Sequence, residues 1–416
     1  MSRVLTALDH FRIRLAWFAT HPSSSPPGHP SSDRLWRSGT PTRGQGIAGG
    51  EVDASRPAAL GPCSPAPGTS PGVTNILDRS TRDYLALTAG LLVIMIAPAA
   101  IAQPAPYRGP HTAWGDPDLQ GLWSNASLTV LERPNWATGL TLTPEQAAKA
   151  EANSKAMLAE NDKARDSPAQ GGDGVGGYNS FWLDPGTHFG VVKGEVRTSW
   201  IVDPPSGKVP YSAQGGREAM ASGMSQFRDF SNPETRSLGE RCIVGFGSTS
   251  GPPMLNVIYN NNYQIVQSPG FVVIVVEMNH DARIIRLGAT HLPANIRPWM
   301  GDSIGHWEGE TLVVETTNIN PNQKFTADVR HRVYVAPDST VTERFTRVAG
   351  DSILYEFKVE NPAAYTQAWR GEMPMHAAKG PMYEYACHEG NYSLPGILSG
   401  ARAQEKTAAT AAGAPK

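Results

Sequence analysis

Residues 340–360, TVTERFTRVAGDSILYEFKVE, decide the fold class of this 416-residue chain. In the second half of the stretch, Ile353, Tyr355, Phe357 and Val359 alternate with the mostly polar Leu354, Glu356, Lys358 and Glu360. A period of two is typical of a β-strand with one face in a core and the other in water. The turn Ala349-Gly350-Asp351 separates this strand from a second one over 340–348. The stretch therefore predicts a β-hairpin.

Strand patterns continue on both sides of this hairpin. They cover residues 196–203, 263–267, 271–278, 282–287, 306–307, 311–317, 365–373 and 381–386. The run 271–278, FVVIVVEM, is almost continuously apolar, which predicts burial on both of its faces. Consecutive antiparallel hairpins close into a barrel or stack as a sandwich, and either arrangement protects strand edges. For residues 188–400 we predict a mainly β domain, an antiparallel meander that closes into a lipocalin-like barrel, with a β-sandwich as the alternative.

An irregular arm with one helix is expected before the β domain, over residues 103–187. Thr143, Pro144 and Gln146 are the residue types of a capping box at positions N-cap, N1 and N3, and they predict a helix over 143–165. Its few bulky apolar residues indicate a surface helix. Residues 213–240 show only weak helical character, and residues 401–416 are predicted to be a disordered tail.

The first hundred residues have a different composition. Residues 1–78 contain no Lys and many Ser, Pro and Gly, so we interpret them as a disordered extension or as the result of a start codon assigned too far upstream. Residues 79–102 have the parts of a secretory signal peptide, namely Arg79 and Arg82, the apolar run 85–97 and the small-residue pattern Ala100-Ile101-Ala102. The mature protein is therefore predicted to be periplasmic or secreted.

Charge and cysteine content narrow the functional classes. Removing residues 1–102 takes 9 basic and 6 acidic residues from the chain's 36 and 38, which leaves a net charge of −5. Without a basic stripe we expect no nucleic-acid partner, and without a second hydrophobic run we expect no membrane contact after signal cleavage. Cys242 and Cys387 remain, and an oxidising compartment favours a disulfide between them over two buried free thiols.

Several long motifs resemble those of a family of exported bacterial proteins that is frequent in acidobacteria and some proteobacteria. They are YNSFWLDPGT (178–187), IVDPPSGKVP (201–210), the segment 259–285 with HDARII (280–285), the segment 299–318 with GHWEGETLVVETTN (305–318), and the segment 383–402 with YEYACHEGNY (383–392). The resemblance covers nearly all of the predicted mature chain. It implies export and carries no catalytic assignment.

Four polar clusters are candidates for a functional site, and the first is EMNHDAR at 277–283. His280 beside Asp281 provides an imidazole and a carboxylate for general acid–base catalysis, and Arg283 would bind the substrate. The alternative is a hairpin turn in which Asn and Asp supply the turn geometry and Arg283 pairs with Glu277 across the strands.

The second cluster is CHEGNY at 387–392, after the last predicted strand. Loops at strand ends commonly carry functional sites, so His388 and Glu389 are candidate catalytic residues and Asn391 and Tyr392 candidate substrate contacts. A nucleophilic pair of Cys387 with its neighbour is disfavoured because adjacent strand residues point to opposite faces. A capped turn is the alternative.

The third and fourth clusters are weaker. Asp302 and His306 are candidate catalytic residues, and Trp307 would contact the substrate at a barrel mouth, although a Trp that enters a strand is also a common core residue. Tyr259 and Asn261 would line a ligand site, although consecutive Asn residues usually mark a turn.

These clusters favour an exported enzyme that performs His/carboxylate acid–base chemistry, as a lyase, isomerase or hydrolase, on an apolar or aromatic small molecule. Its alternatives are a non-catalytic periplasmic ligand-binding barrel and an envelope interaction protein with a filled core and an exposed apolar patch. No nucleophile elbow, HExxH, phosphate-binding loop or dinucleotide fingerprint occurs in the sequence, so no cofactor or metal is expected. The enzyme hypothesis predicts that His280 and His388 face one cavity at the barrel rim.

The signal pattern makes a testable prediction about processing. We expect cleavage after Ala102, because the small-x-small pattern directly follows the apolar run. Mass spectrometry of protein recovered from the periplasm or medium should find an N-terminal peptide that starts at Gln103. Exported protein that still carries residues 79–102 would contradict this assignment.

Overall fold

The computed structural model describes residues 107–166, 183–328, 330–389 and 391–413, and these form a mainly β protein built around a closed barrel. The strands are β1 (Gly121–Ser124), β2 (Thr141–Leu142), β3 (Val191–Val192), β4 (Glu195–Arg197), β5 (Ile201–Asp203), β6 (Asn262–Ser268), β7 (Phe271–Val276), β8 (Ala282–Leu287), β9 (Asp302–Glu308), β10 (Thr311–Thr317), β11 (Phe325–Ala327), β12 (Arg332–Tyr334), β13 (Thr340–Ala349), β14 (Ser352–Glu360) and β15 (Trp369–Ala377). The α-helices are α1 (Pro144–Asp166), α2 (Ala213–Arg228) and α3 (Ser393–Gly413), with 3-10 turns at Pro233–Thr235, Met278–His280 and Pro321–Gln323.

Nine strands close the barrel in the order β1-β6-β7-β8-β9-β10-β13-β14-β15, and β15 pairs with β1 to complete the circle. The predicted barrel is confirmed. Its first strand, β1, comes from the segment that the sequence assigned to an irregular arm. Strand β5 pairs with β15, while β2-β4-β3 and β11-β12 form two small separate sheets.

One neighbouring pair departs from the predicted antiparallel meander. Strands β8 and β9 are parallel, with Ile285 opposite Ser303 and Leu287 opposite Gly305. Parallel neighbours need a connection that returns to the starting end of the first strand, and residues 288–301 provide it. The other barrel pairs are all antiparallel.

The hairpin over 340–360 forms as predicted. Strands β13 and β14 pair along their whole lengths, with one register shift between Arg347 and Ala349. Phe345 and Tyr355 are fully buried, and their ring centroids lie 4.9 Å apart, so they pack inside the barrel. The period-two pattern thus corresponds to an apolar face inside the barrel and a solvent-exposed outer face.

The prediction that 271–278 is buried on both faces is wrong for the outer face of the barrel. Val272, Ile274 and Val276 point inward and are almost inaccessible to solvent. On the other side, Phe271 is 46% exposed, because no described residue covers this part of the barrel.

The barrel interior is filled by the chain itself. Residues 244–257 lie almost entirely out of solvent, apart from the half-buried Phe246. Two backbone groups of this segment bond to tyrosines of the barrel wall. The N–H of Met254 donates to the Tyr355 hydroxyl over 2.9 Å, and the Tyr263 hydroxyl donates to the Thr249 carbonyl over 3.1 Å. Among the described residues the barrel therefore encloses packed protein.

A buried ion pair lies in this interior. Arg283, on β8, and Glu343, on β13, are both essentially inaccessible, and Nη1 of the arginine lies 2.9 Å from Oε1 of the glutamate. The Tyr355 hydroxyl donates to the same Oε1 over 2.6 Å. Arg283 therefore pairs with Glu343, whereas the turn interpretation of the sequence expected a pair with Glu277.

The capping box of α1 is confirmed. The N–H of Thr143 donates to Gln146 Oε1 over 2.9 Å, and the N–H of Gln146 donates to Thr143 Oγ1 over 3.3 Å. Most of the described side chains of this helix are exposed, as expected of a surface helix.

Helix α2 falls in the segment 213–240, for which the sequence indicated only weak helical character. Its N-cap is Ser212, whose hydroxyl accepts from the N–H of Gly215 over 3.0 Å. A Cβ atom on Gly215 would lie 2.0 Å from the carbonyl oxygen of Ala364. Close packing thus requires a glycine that lowers the local helix propensity.

The C-terminal segment is held by a disulfide. Cys242 and Cys387 pair as predicted, with Cα atoms 5.7 Å apart. Asn391 Nδ2 donates to the Glu240 carbonyl over 2.9 Å on the same stretch of chain. Residues 381–386, predicted as a strand, form no strand, and residues 401–413, predicted as a tail, belong to α3.

The predicted extension and signal peptide, residues 1–102, lie outside the described part of the chain. Within the described part, no helix combines the length and the apolar character that crossing a bilayer requires.

The buried ion pair makes a prediction about stability. Arg283→Met leaves Glu343 buried without its cation, which should lower the free energy of unfolding by about 3–5 kcal/mol. The double variant with Glu343→Leu removes both charges and should recover most of that loss. Urea denaturation of the three proteins measures both effects. A single variant within about 1 kcal/mol of the unmodified protein would show that the pair is not needed for stability.

Candidate functional site

The first predicted cluster is a structured turn. The Asp281 carboxylate accepts from the N–H of Gly245 over 2.9 Å and from the Ser250 hydroxyl. Burial raises the pKa of this carboxyl above its ordinary value. Asp281 therefore fixes the interior segment 244–257 to the turn between β7 and β8, while the neighbouring His280 is exposed.

The second cluster lies next to the first. The N–H of Tyr385 donates to His280 Nε2 over 3.4 Å, so the segment that carries His388 contacts the turn that carries His280. Both imidazoles are at the surface, as are Glu389 and, largely, Tyr392. Asn391 contacts the disulfide-linked stretch. The shared cavity for the two histidines stays a prediction.

In the third cluster, Asp302 and His306 lie on the outer face of β9. Asp302 is buried beneath the loop 288–301 and accepts from Arg286 Nη2 at 2.8 and 3.0 Å. His291 Nδ1 lies 2.8 Å from the same carboxylate. Burial alone would raise the pKa of Asp302, but these contacts and the N–H of Leu292 lower it. His306 is exposed beside Glu308, so the cluster does not converge.

The remaining candidates make contacts within the fold. Trp307 packs against the core from the inner face of β9. Asn261 is fully buried and bonds to backbone groups of Val257 and Asp184, with distances of 2.7–3.0 Å. Tyr259 is almost fully buried, and Arg283 belongs to the interior ion pair. The turn interpretation of the Asn run fits this geometry better than a ligand lining.

A pocket of about 300 Å³ lies elsewhere, where β1 meets β15. We call it the seam pocket. It is lined by Ser124, Ala126, Ser127, Asp184, Gly186, Thr187, His188, Phe189, Gly190 and His376. Ser124 and His376 are direct partners across the β1–β15 closure, so their side chains share one face of the barrel wall.

The other wall of the seam pocket is the segment 184–190. It runs beside residues 127–129, where the N–H of Leu128 donates to the His188 carbonyl over 2.9 Å. Gly186 has a φ of +80°, and a Cβ atom there would lie 2.5 Å from the backbone nitrogen of Ser127. A glycine is therefore required for the segment to approach the barrel this closely.

Helix α1 supplies a carboxylate to this wall. Glu151 Oε2 lies 3.1 Å from His188 Nδ1, and Oε1 accepts from the N–H of Phe189 over 3.1 Å. A carboxylate on Nδ1 fixes the orientation of an imidazole and makes Nε2 the nitrogen that is available to a ligand. His376 is exposed at the same pocket. The seam pocket thus combines two imidazoles, one of them held by a carboxylate.

Sequence reasoning missed these residues because no local pattern joins them. Glu151 and His188 are 37 residues apart, and His376 comes from the last barrel strand. The one sequence signal that bears on these residues is the capping box, because it sets where α1 begins and therefore which face of the helix carries Glu151.

The segment 328–331 carries a second set of polar residues that the sequence analysis did not single out, and it contacts the segment 184–190 of the seam pocket wall. Arg330 Nη1 donates to the Pro185 carbonyl over 3.2 Å. Asp328 Oδ1 accepts from the N–H of His331 over 2.6 Å, whereas its Oδ2 is buried with no hydrogen-bond partner among the described residues. Burial raises the pKa of Asp328 to about 6 and lowers that of His331 to about 3.

Comparison with family models, with curated proteins and with solved structures finds no match to this chain.

Asp328 makes a prediction about pH. Because its folded-state pKa of about 6 exceeds its ordinary value of 3.8, the folded protein takes up a proton as the pH falls, and ionised Asp328 destabilises it at high pH. Asp328→Asn should raise the free energy of unfolding at pH 8 by about 1–3 kcal/mol, and the gain should shrink as the pH falls from about 6 towards 4. Denaturation curves of both proteins across this range measure it. A gain independent of pH would contradict the assignment.

Proposed function

We propose that the chain is an exported enzyme that performs acid–base chemistry on a small molecule in the seam pocket. His188, oriented by Glu151, is the base, and His376 is the acid. The observation that carries the proposal is one pocket lined by two imidazoles, the first bonded to a carboxylate through Nδ1. The proposed reaction class is the acid–base chemistry inferred from the sequence. The proposed catalytic residues are His188 and His376 in place of His280 and His388.

The proton balance of this arrangement is simple. Nε2 of neutral His188 accepts a proton from the substrate, and Glu151 stabilises the imidazolium that forms. Protonated His376 then donates a proton to the atom that gains negative charge. Removal of one proton and delivery of another is the requirement of an isomerase or a lyase.

The dimensions of the seam pocket suit a small substrate. A volume of about 300 Å³ is at the lower end of small-molecule sites. Phe189 and Ala126 give it apolar surface, while Ser124 and Thr187 offer hydroxyl groups. We therefore propose a compact molecule with an apolar or aromatic part and at least one polar group.

Export is part of the proposal. The signal pattern of residues 79–102 and the Cys242–Cys387 disulfide both support an oxidising compartment. A periplasmic or secreted enzyme accords with both features.

A non-catalytic interaction protein is the second candidate. It is favoured by the filled barrel interior and by the exposed apolar side chains Val266, Phe271 and Ile284 on the outer wall. This candidate needs no chemistry in the seam pocket.

The proposed base can be tested with nitrobenzisoxazole, whose ring opens to a coloured cyanophenolate when a base removes its C–H proton. The protein should accelerate this reaction, and His188→Ala should lower kcat/KM by about tenfold or more, because the base is lost. Glu151→Gln should give a smaller loss, mainly in kcat, because the ring loses the carboxylate that stabilises its charged form.

His280→Ala and His388→Ala are the matched controls, because both remove an exposed imidazole outside the seam pocket. They should leave the rate unchanged. If His188→Ala has no effect while either control abolishes the reaction, the base lies in the clusters predicted from the sequence and the present assignment is wrong.

A further inference from the structure

The seam pocket has one lining residue with a permanent charge, Asp184. Its ten lining residues include no Lys and no Arg, and the described part of the chain offers the Asp184 carboxylate no hydrogen bond or ion pair. The backbone of this residue is held, because its N–H donates to the Ile258 carbonyl over 2.8 Å and its carbonyl accepts from Asn261 Nδ2 over 2.7 Å. Asp184 is therefore an exposed anion on a fixed stretch of the pocket wall.

Cations on the segments around the seam pocket are already bound. Arg330 donates to the Pro185 carbonyl over 3.2 Å. Lys193 and Arg197 follow the pocket wall in the sequence, and both bind the Glu372 carboxylate, over 2.9 and 3.3 Å. These ammonium and guanidinium groups are thus engaged by groups other than Asp184.

The charge balance at the pocket is negative even when one imidazole is protonated. Asp184 and Glu151, whose carboxylate bonds to His188, contribute two negative charges. Protonated His376 contributes one positive charge. Residues 167–182, which precede the pocket wall in the sequence, contain neither Lys nor Arg. A concave site with an excess of one sign of charge concentrates ligands of the opposite sign.

Aromatic rings adjoin the same wall. Phe189 lines the pocket, and Trp136 packs against it edge to face, with ring centroids 6.3 Å apart. Trp136 is 39% exposed, so part of its ring surface is accessible to solvent. The faces of such rings attract cations, and their apolar surface contacts the hydrocarbon part of a ligand.

We propose that the seam pocket selects a small molecule that carries a protonated amine beside an aromatic or other apolar part, and that Asp184 determines this selection. The ammonium group pairs with the Asp184 carboxylate, and the apolar part contacts Phe189. This inference rests on the proposed function, since it takes the seam pocket as the substrate site. It adds the charge of the substrate, which the two imidazoles leave open.

Three probes with the same ring and different charge test the proposal. At pH about 7.5, benzylamine is a cation, benzyl alcohol is neutral and benzoate is an anion. Their dissociation constants can be measured at low salt by saturation-transfer NMR with the unmodified protein. Benzylamine should bind most tightly and benzoate most weakly, and added salt should reduce the difference because it screens an exposed charge.

Variants of Asp184 assign the preference to this residue. Asp184→Asn should weaken benzylamine binding about two- to fivefold, the range expected of one exposed charge pair, while benzyl alcohol binds as before and shows that the pocket is intact. Asp184→Glu keeps the charge and should retain the preference for benzylamine. Glu234→Gln is the matched control, because it removes an exposed carboxylate outside the seam pocket, and it should bind all three probes like the unmodified protein.

Several outcomes overturn the proposal. They are benzoate binding as tightly as benzylamine, a preference for benzylamine that persists in Asp184→Asn, and no measurable binding of any probe. The binding assay involves no chemistry, so it separates this proposal from the proposed function. If Asp184→Asn abolishes the preference while His188→Ala leaves the nitrobenzisoxazole rate unchanged, the pocket selects cations and the assignment of the base is wrong.

Discussion

The Arg283–Glu343 ion pair is the constraint around which the barrel interior is arranged. Two opposite charges inside a protein are tolerated only with close geometry and further hydrogen bonds. Tyr355 supplies one of these bonds, and the same hydroxyl accepts from the backbone of Met254. One network thus joins β8, β13 and β14 to the segment that fills the barrel.

This network also explains why the proposed site was sought outside the barrel interior. The interior is occupied by residues 244–257, and Asp281 fixes one end of that segment. A lipocalin-like ligand cavity would require the segment to leave. The accessible chemistry instead gathers at the closure between β1 and β15, where the wall is built from segments distant in sequence.

The strands were predictable because their signal is local. Period-two alternation over 352–360 and the capping box at Thr143 each involve neighbours in sequence, and both appear in the structure. Helix α2 was only weakly indicated by the sequence. Its Gly215 is required by close packing against the backbone of Ala364, a contact that the local sequence does not encode. The parallel pairing of β8 with β9 is equally non-local.

The candidate site shows the same difference between local patterns and non-local contacts. The sequence indicated dense polar clusters, and in the structure Asp281 and Asn261 of these clusters bond to backbone groups of other segments. The sequence left a turn and a functional role open for both residues, because a turn and a catalytic or binding loop require the same side chains. His188 gains its partner only when α1 packs beside the segment 184–190.

The closure of the barrel has a consequence for the order of folding. Strand β1 pairs with β15, so Ser124 meets His376 across most of the described chain. Bringing such distant segments together costs chain entropy before any contact offsets it, and folds with this property form slowly. During synthesis or transport from the N-terminus, the sheet keeps two open edges until its last strand arrives. A chaperone that shields exposed strand edges would therefore act on this protein late, when the final quarter of the chain is emerging.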